Sequence, residues 1–75
     1  MSMTSTYRVT GMTCDHCVTA VTEELSALPG VRDVQVALVT GGTSEVRVVS
    51  ESPLAENAVR AAVDEAGYEY AGVAP

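Results

Sequence analysis

Residues 9–17 read VTGMTCDHC, and this stretch carries most of the reactive chemistry of the 75-residue chain. It holds both cysteines, the only histidine and one of the three methionines. Its glycine ends an alternating segment, residues 5–10, that predicts a β-strand, and a helical pattern follows. The stretch is therefore a strand-to-helix junction with two thiols at C-x-x-C spacing, and the rest of the fold is built outward from it.

The segment after this junction predicts an amphipathic helix. Thr13 offers an N-cap for a helix that begins at Cys14 or Asp15, and the Pro29-Gly30 pair ends it. Apolar residues recur along it at spacings of three and four, which gives one stripe that faces a core. These residues are Val18, Val21, Leu25 and Leu28.

A β-hairpin is predicted next. Residues 31–39 and 45–50 both alternate apolar and polar side chains, as half-buried strands do. Gly41 and Gly42 lie between them, where a tight turn needs positive φ. So short a loop allows only antiparallel neighbours.

A second helix and a last strand complete the chain. Ser52 is the expected N-cap and Pro53 the first helical residue, and the helix is expected to run to about Ala66. Residues 68–73 follow as a strand. Two ion pairs at i,i+4 spacing are expected on the outer face of this helix, Glu56 with Arg60 and Arg60 with Asp64.

The order βαββαβ predicts an α+β fold of the split-βαβ type. Its four strands form one antiparallel sheet, and both helices cover one face of that sheet. The length allows one small domain, residues 1–75, with an ordered core of about residues 5–73.

Composition excludes several functional classes. The net charge is −6, from ten acidic residues against four arginines and no lysine. Nucleic acids and anionic membrane surfaces both need a basic footprint, so neither is an expected partner. No apolar run approaches the ~18 residues needed to span a bilayer, and no secretory signal pattern is present. Direct membrane insertion is therefore not expected, and the expected location is the cytoplasm.

The C-x-x-C pair leaves three interpretations open. In a reducing cytosol a close cysteine pair is typical of a metal site or a redox site. Soft thiolates favour Cu(I), whereas structural zinc requires four ligands and His16 would supply only a third. A dithiol oxidoreductase has the same strand–motif–helix placement. The third interpretation is two surface cysteines without a function.

Residues 11–17, GMTCDHC, resemble the signature of the heavy-metal-associated domain family. LPGV at residues 28–31 and EAGY at residues 65–68 resemble the family's helix exit and its entry to the last strand. The resemblance implies a ferredoxin-like βαββαβ fold that binds one Cu(I) through Cys14 and Cys17. It also implies no enzymatic activity.

The same resemblance suggests roles for residues beside the two cysteines. Met12 matches a family methionine that packs under the loop, and Tyr68 matches a position that shields the metal or tunes the thiolates. His16 either tunes the thiolates and joins metal clusters in a metal-bridged homodimer, or is a solvated side chain. Thr13 stands where zinc-selective relatives place Asp.

The resulting functional prediction is an intracellular Cu(I) chaperone that passes its ion to a partner by thiolate exchange. The implied partner is a copper-transporting P-type ATPase or a copper-responsive regulator. The alternatives are the N-terminal metal-binding domain of such an ATPase and, from another class, a dithiol oxidoreductase. Many family chaperones carry lysines beside the site; this chain has none, so its docking face is expected to be acidic or apolar.

Overall fold

The computed structural model describes residues 2–13 and 15–74. The elements follow in the predicted order βαββαβ. They are β1 (Met3–Thr10), α1 (Asp15–Ser26), β2 (Val31–Ala37), β3 (Thr43–Ser50), α2 (Glu56–Glu65) and β4 (Glu69–Val73). Within the described part of the chain, neither helix has the length and apolar character that a membrane crossing requires.

The four strands form one antiparallel sheet in the order β2-β3-β1-β4. β1 and β3 are its central strands, and they pair along their whole length, from Met3 opposite Ser50 to Thr10 opposite Thr43. The two helices pack on the same face and contact each other. The predicted ferredoxin-like sandwich is therefore confirmed.

The core lies between the sheet and the two helices, and it consists mainly of valine. Alternation along β1 buries Tyr7 and Val9, as the sequence pattern predicts, and β3 does the same with Val46 and Val48. The helices contribute further fully buried side chains: Val21 and Leu25 from α1, and Val59 and Val63 from α2. The chain has no Phe or Trp, so close packing depends on branched aliphatic side chains that fit a pleated surface.

The start of α2 differs from the prediction. The helix begins at Glu56, with Ala55 at the N-cap position and no side-chain cap hydrogen bond. The Ser50 hydroxyl donates to the Ser52 carbonyl (2.8 Å), and the Glu51 N–H donates to the Gly30 carbonyl (2.8 Å). The Ser-Pro signal was wrong here because these tertiary contacts hold the segment out of a helix.

The hairpin is also shorter at its first strand than predicted. β2 ends at Ala37 instead of Val39. The Val39 N–H donates to the hydroxyl of Ser44 (2.8 Å), a fully buried side chain, and the Gly42 N–H donates to the Val39 carbonyl (3.1 Å). These bonds replace ladder pairing and close the loop between β2 and β3.

The fold has two distinct ends. The β1–α1, β2–β3 and α2–β4 loops gather at one of them, where the Gly41 N–H lies 3.4 Å from the Met12 carbonyl. The start of β1 lies at the other, and β4 ends midway along β1. There Val73 pairs with Tyr7, and the Ala74 N–H donates to the Thr6 carbonyl (2.8 Å).

Candidate metal site

The loop between β1 and α1 makes a sharp reversal before the helix begins. β1 ends at Thr10, and Gly11 follows with φ +92°, a left-handed conformation that glycine adopts without the penalty that a Cβ brings. Asp15 is the first residue of α1, so Cys17 lies in its first turn. Cys14 lies outside the described residues, and its role as a ligand stays a prediction.

Cys17 is buried, and Thr13 contacts its sulfur. Cys17 is 7% exposed. The Thr13 backbone N–H donates to Cys17 Sγ (3.5 Å), and Thr13 Oγ1 lies 3.9 Å from the same sulfur. Thr13 is two residues before the helix, and its hydroxyl contacts sulfur, so the N-cap prediction for it was wrong. The Thr13 N–H thus donates to a sulfur that lies at the N-terminal, electropositive end of α1.

Met12 supports the loop from below. Its side chain is fully buried and is one of the largest such side chains in the core. Its carbonyl accepts from Gly41 N–H (3.4 Å), which joins the β1–α1 loop to the β2–β3 loop. The Met12 side chain therefore packs in the core at the start of the β1–α1 loop.

Tyr68 approaches the same loop from the α2–β4 connection. It is half-buried and packs against the core. A Cβ built on Gly11 would lie 3.8 Å from its Cδ1, so the Tyr68 ring lies beside the turn that precedes the cysteines. The structure therefore brings Met12, Thr13, Cys17 and Tyr68 together at one end of the fold.

His16, the remaining candidate residue, is exposed. His16 and Asp15 both lie on the surface in the first turn of α1, and the Asp15 carbonyl accepts from the Thr19 hydroxyl (3.2 Å). Met3 opens β1 at the opposite end of the fold, away from this loop. Among residues 2–13 and 15–74, no group of three or more His, Cys, Asp or Glu side chains could hold an ion.

Sequence reasoning did not find the contacts of Tyr70. Its hydroxyl donates to Glu56 Oε2 (2.8 Å), and the Arg60 guanidinium lies 5.5 Å from the centre of its ring. Neither ion pair expected of Arg60, with Glu56 or with Asp64, is present among the described side chains. The one available signal was the spacing of Tyr68 and Tyr70, which would share a face of the last strand predicted at residues 68–73.

Comparison with known proteins places the chain in a family. Residues 6–69 match the model of the heavy-metal-associated domain. Over 64 residues the chain is 45% identical to copper-transporting ATPase 1 of Rhizobium meliloti and 39% identical to mercuric reductase of Shigella flexneri. Those matches cover 84% and 85% of this chain but only 7% and 11% of the two relatives.

A solved structure of a CopZ metallochaperone superposes with a TM-score of 0.79 at 30% identity, over 92% of this chain and 100% of the other. The chain belongs to the heavy-metal-associated domain family, because the family model spans most of its length.

Proposed function

We propose that this chain binds one Cu(I) through Cys14 and Cys17 and passes it to a partner protein by thiolate exchange. The observation that carries the proposal is the environment of Cys17 Sγ. Cys17 lies in the first turn of α1, and its sulfur accepts a hydrogen bond from the Thr13 N–H at 3.5 Å. A thiolate held in this way is a soft ligand, and paired soft thiolates suit Cu(I).

The surroundings favour exchange over permanent storage. Thr13, Asp15 and His16, next to the two cysteine positions, are all exposed. A two-thiolate site leaves room for a third sulfur to bond to the ion before one of the first two bonds breaks. Copper stays Cu(I) throughout, and the number of copper–sulfur bonds is restored at the end of the step.

The partner we propose is a copper-transporting P-type ATPase in the same cytoplasm. The 45% identity to an ATPase supports this, because partners that exchange an ion through three-coordinate intermediates need similar sites. The same identity supports a second candidate: the chain acts as the metal-binding domain of such a transporter. The open reading frame separates the two, since apolar spans that continue from this domain would exclude a separate chaperone.

An anaerobic titration with Cu(I) against a chromophoric Cu(I) chelator tests the binding proposal. We expect one equivalent per chain, bound tightly enough to compete with the chelator. The Cys14→Ser/Cys17→Ser variant should lose it, and Met3→Leu, which alters an exposed sulfur at the other end, should not. Retention of copper by the double cysteine variant would refute the proposal.

The metal preference needs its own measurement. The 39% identity to mercuric reductase makes Hg(II), another soft ion, the main competitor. Mass spectrometry of the intact protein from copper-fed cells, purified without oxygen, reads the bound ion directly. We expect a mass increase of one copper atom, whereas a zinc-loaded or metal-free protein would contradict the choice of Cu(I).

A further inference from the structure

Tyr70 of β4 holds the first two turns of α2. Its hydroxyl donates to Oε2 of Glu56, the first residue of α2, over 2.8 Å. The guanidinium of Arg60, one turn further on, lies 5.5 Å from the centre of the Tyr70 ring, within the range of a cation–π interaction. One side chain thus contacts α2 at two successive turns.

This contact lies at a helix start that has no side-chain N-cap. The N-cap residue is Ala55, whose side chain makes no capping hydrogen bond. A helix start of this kind leaves backbone N–H groups without a local partner. The Glu56 carboxylate is well placed near the positive end of the helix, and Tyr70 fixes that carboxylate in position.

Tyr70 also joins β4 to β1. Its ring lies 6.2 Å from the ring of Tyr7, between centroids, with a 48° angle between the planes. Burial, together with the bond to Glu56 and the negative charge of Glu56, raises the pKa of Tyr70 to about 12. Tyr70 is therefore a neutral donor at physiological pH, and it connects α2, β4 and β1.

Tyr68 lies two residues before Tyr70, in the connection between α2 and β4, and its position depends on the same elements. Its N–H donates to the Val63 carbonyl in the last turns of α2 (3.1 Å). Its ring then lies against Gly11, 3.8 Å from where a Cβ would be. A shift of α2 relative to β4 would move this ring on the loop that carries the cysteines.

We propose that Tyr70 is a positioning residue for the metal loop: by tying β4 to the start of α2 it holds Tyr68 against Gly11. The inference rests on the proposed function for its effect on metal. Without the Tyr70 hydroxyl, α2 and β4 shift more freely, the Tyr68 ring leaves the loop part of the time, and an incoming thiol reaches the bound ion sooner.

The test compares Tyr70→Phe, which keeps the ring, with a matched control. The control is Arg32→Gln, which removes an exposed pairing of Arg32 with Glu51 at the other end of the fold, where Arg32 Nε lies 3.0 Å from Glu51 Oε1. The measurement is the rate at which an excess of chelator removes Cu(I). We expect Tyr70→Phe to accelerate removal about fivefold, which corresponds to about 1 kcal/mol, and Arg32→Gln to leave the rate unchanged.

A double-variant cycle separates positioning from a general loss of stability. In a Tyr68→Leu background, Tyr70→Phe should cause no further acceleration, because the residue through which it acts is gone. Equal acceleration in both backgrounds, or the same acceleration in Arg32→Gln, would overturn the inference.

A metal-free measurement keeps this inference distinct from the proposed function. The nuclear Overhauser effect between the Tyr68 ring and the Gly11 α-protons should be strong in the wild-type protein and weaker in Tyr70→Phe. An unchanged effect would overturn the positioning role even if Cu(I) binds as proposed. Failure of the wild-type protein to bind Cu(I) would refute the proposed function, while the proton contact would still decide the role of Tyr70.

Discussion

Thr13 directs both its backbone N–H and its hydroxyl oxygen toward the sulfur of Cys17, at 3.5 and 3.9 Å. The sequence suggests a helix cap at this position, whereas in the structure both polar groups of the residue contact the Cys17 sulfur. Four of the residues that the sequence selects therefore lie around one loop, with Met12 beneath it, Thr13 against the sulfur and Tyr68 beside the turn.

Replacing Thr13 by valine should make Cys17 less reactive. The valine side chain keeps the shape of threonine but has no hydroxyl, so Cys17 Sγ keeps the backbone N–H contact and loses the side-chain one. We expect alkylation by iodoacetamide at pH 6.5 to slow about two- to fivefold, as the loss of one net hydrogen bond implies. The reaction is followed by mass spectrometry in a Cys14→Ser background, in which Cys17 is the reporting thiol. Thr13→Ser, which retains the hydroxyl, should react at the parental rate; equal slowing in both variants would argue against the contact.

A capping residue at position 55 should stabilise the protein. Ala55 has an extended backbone, φ −69° and ψ 132°, which suits an N-cap, but it has no side-chain acceptor. Ala55→Ser should therefore raise the free energy of unfolding by about 0.5–1 kcal/mol. Thermal unfolding should show this as a rise in Tm of roughly 3–6 °C. Ala61→Ser, on the exposed side of the same helix, introduces the same chemistry without a cap and should lower Tm slightly.

Truncation of Met12 should be costly although the residue lies in a loop. Its side chain is fully buried, so Met12→Ala removes packing and leaves a cavity. We expect a loss of about 2–4 kcal/mol in urea denaturation. Met12→Leu, which conserves volume, should lose less than about 1.5 kcal/mol. Met3, 45% exposed, provides the control, since Met3→Ala should be nearly neutral; a neutral Met12→Ala would disprove the buried position.

The Tyr70 phenol should titrate above the ordinary pKa of tyrosine. Its pKa is raised from 10.0 to about 12, by burial first and then by the hydrogen bond to Glu56. Absorbance at 295 nm should therefore show one tyrosine ionising near pH 12, and the late step should vanish in Tyr70→Phe. The folded protein keeps this proton where the unfolded chain releases it. The resulting stabilisation is complete below about pH 10 and is lost as the pH rises from 10 to 12.

Much of the fold could be predicted because local signals and burial agree. Alternation in β1 and β3 matches which side chains are buried, and α2 ends at Glu65 with its C-cap at Ala66, close to the predicted end. The prediction was wrong where individual side-chain hydrogen bonds decide the path of the backbone. The Ser52 carbonyl accepts from the Ser50 hydroxyl, and the Val39 N–H donates to the Ser44 hydroxyl. Residue propensities encode neither bond.

Some residues of the candidate site were predicted from the sequence, and others were not. Spacing alone selected the two cysteines, because only their separation along the chain is needed to bring two sulfurs to one ion. The resemblance added Met12 and Tyr68. Tyr70 was not found, since its importance depends on the pairing of β4 with β1 and on the packing of α2, which place its hydroxyl on Glu56. Such a relationship between elements cannot be read from one segment.

The loop of Cys17 and the start of β1 lie at opposite ends of the fold, and this affects how the domain can be linked to other domains. Met3 begins β1 at the end remote from the loop of Cys17, and Ala74 follows β4 beside Thr6, midway along β1. A flexible linker attached before Met3 would therefore join the domain at the end opposite the loop of Cys17. Copies joined in series, or one copy tethered to a larger machine, could each turn that loop outward. Tethering would also raise the effective concentration of the site near its acceptor without any new contact.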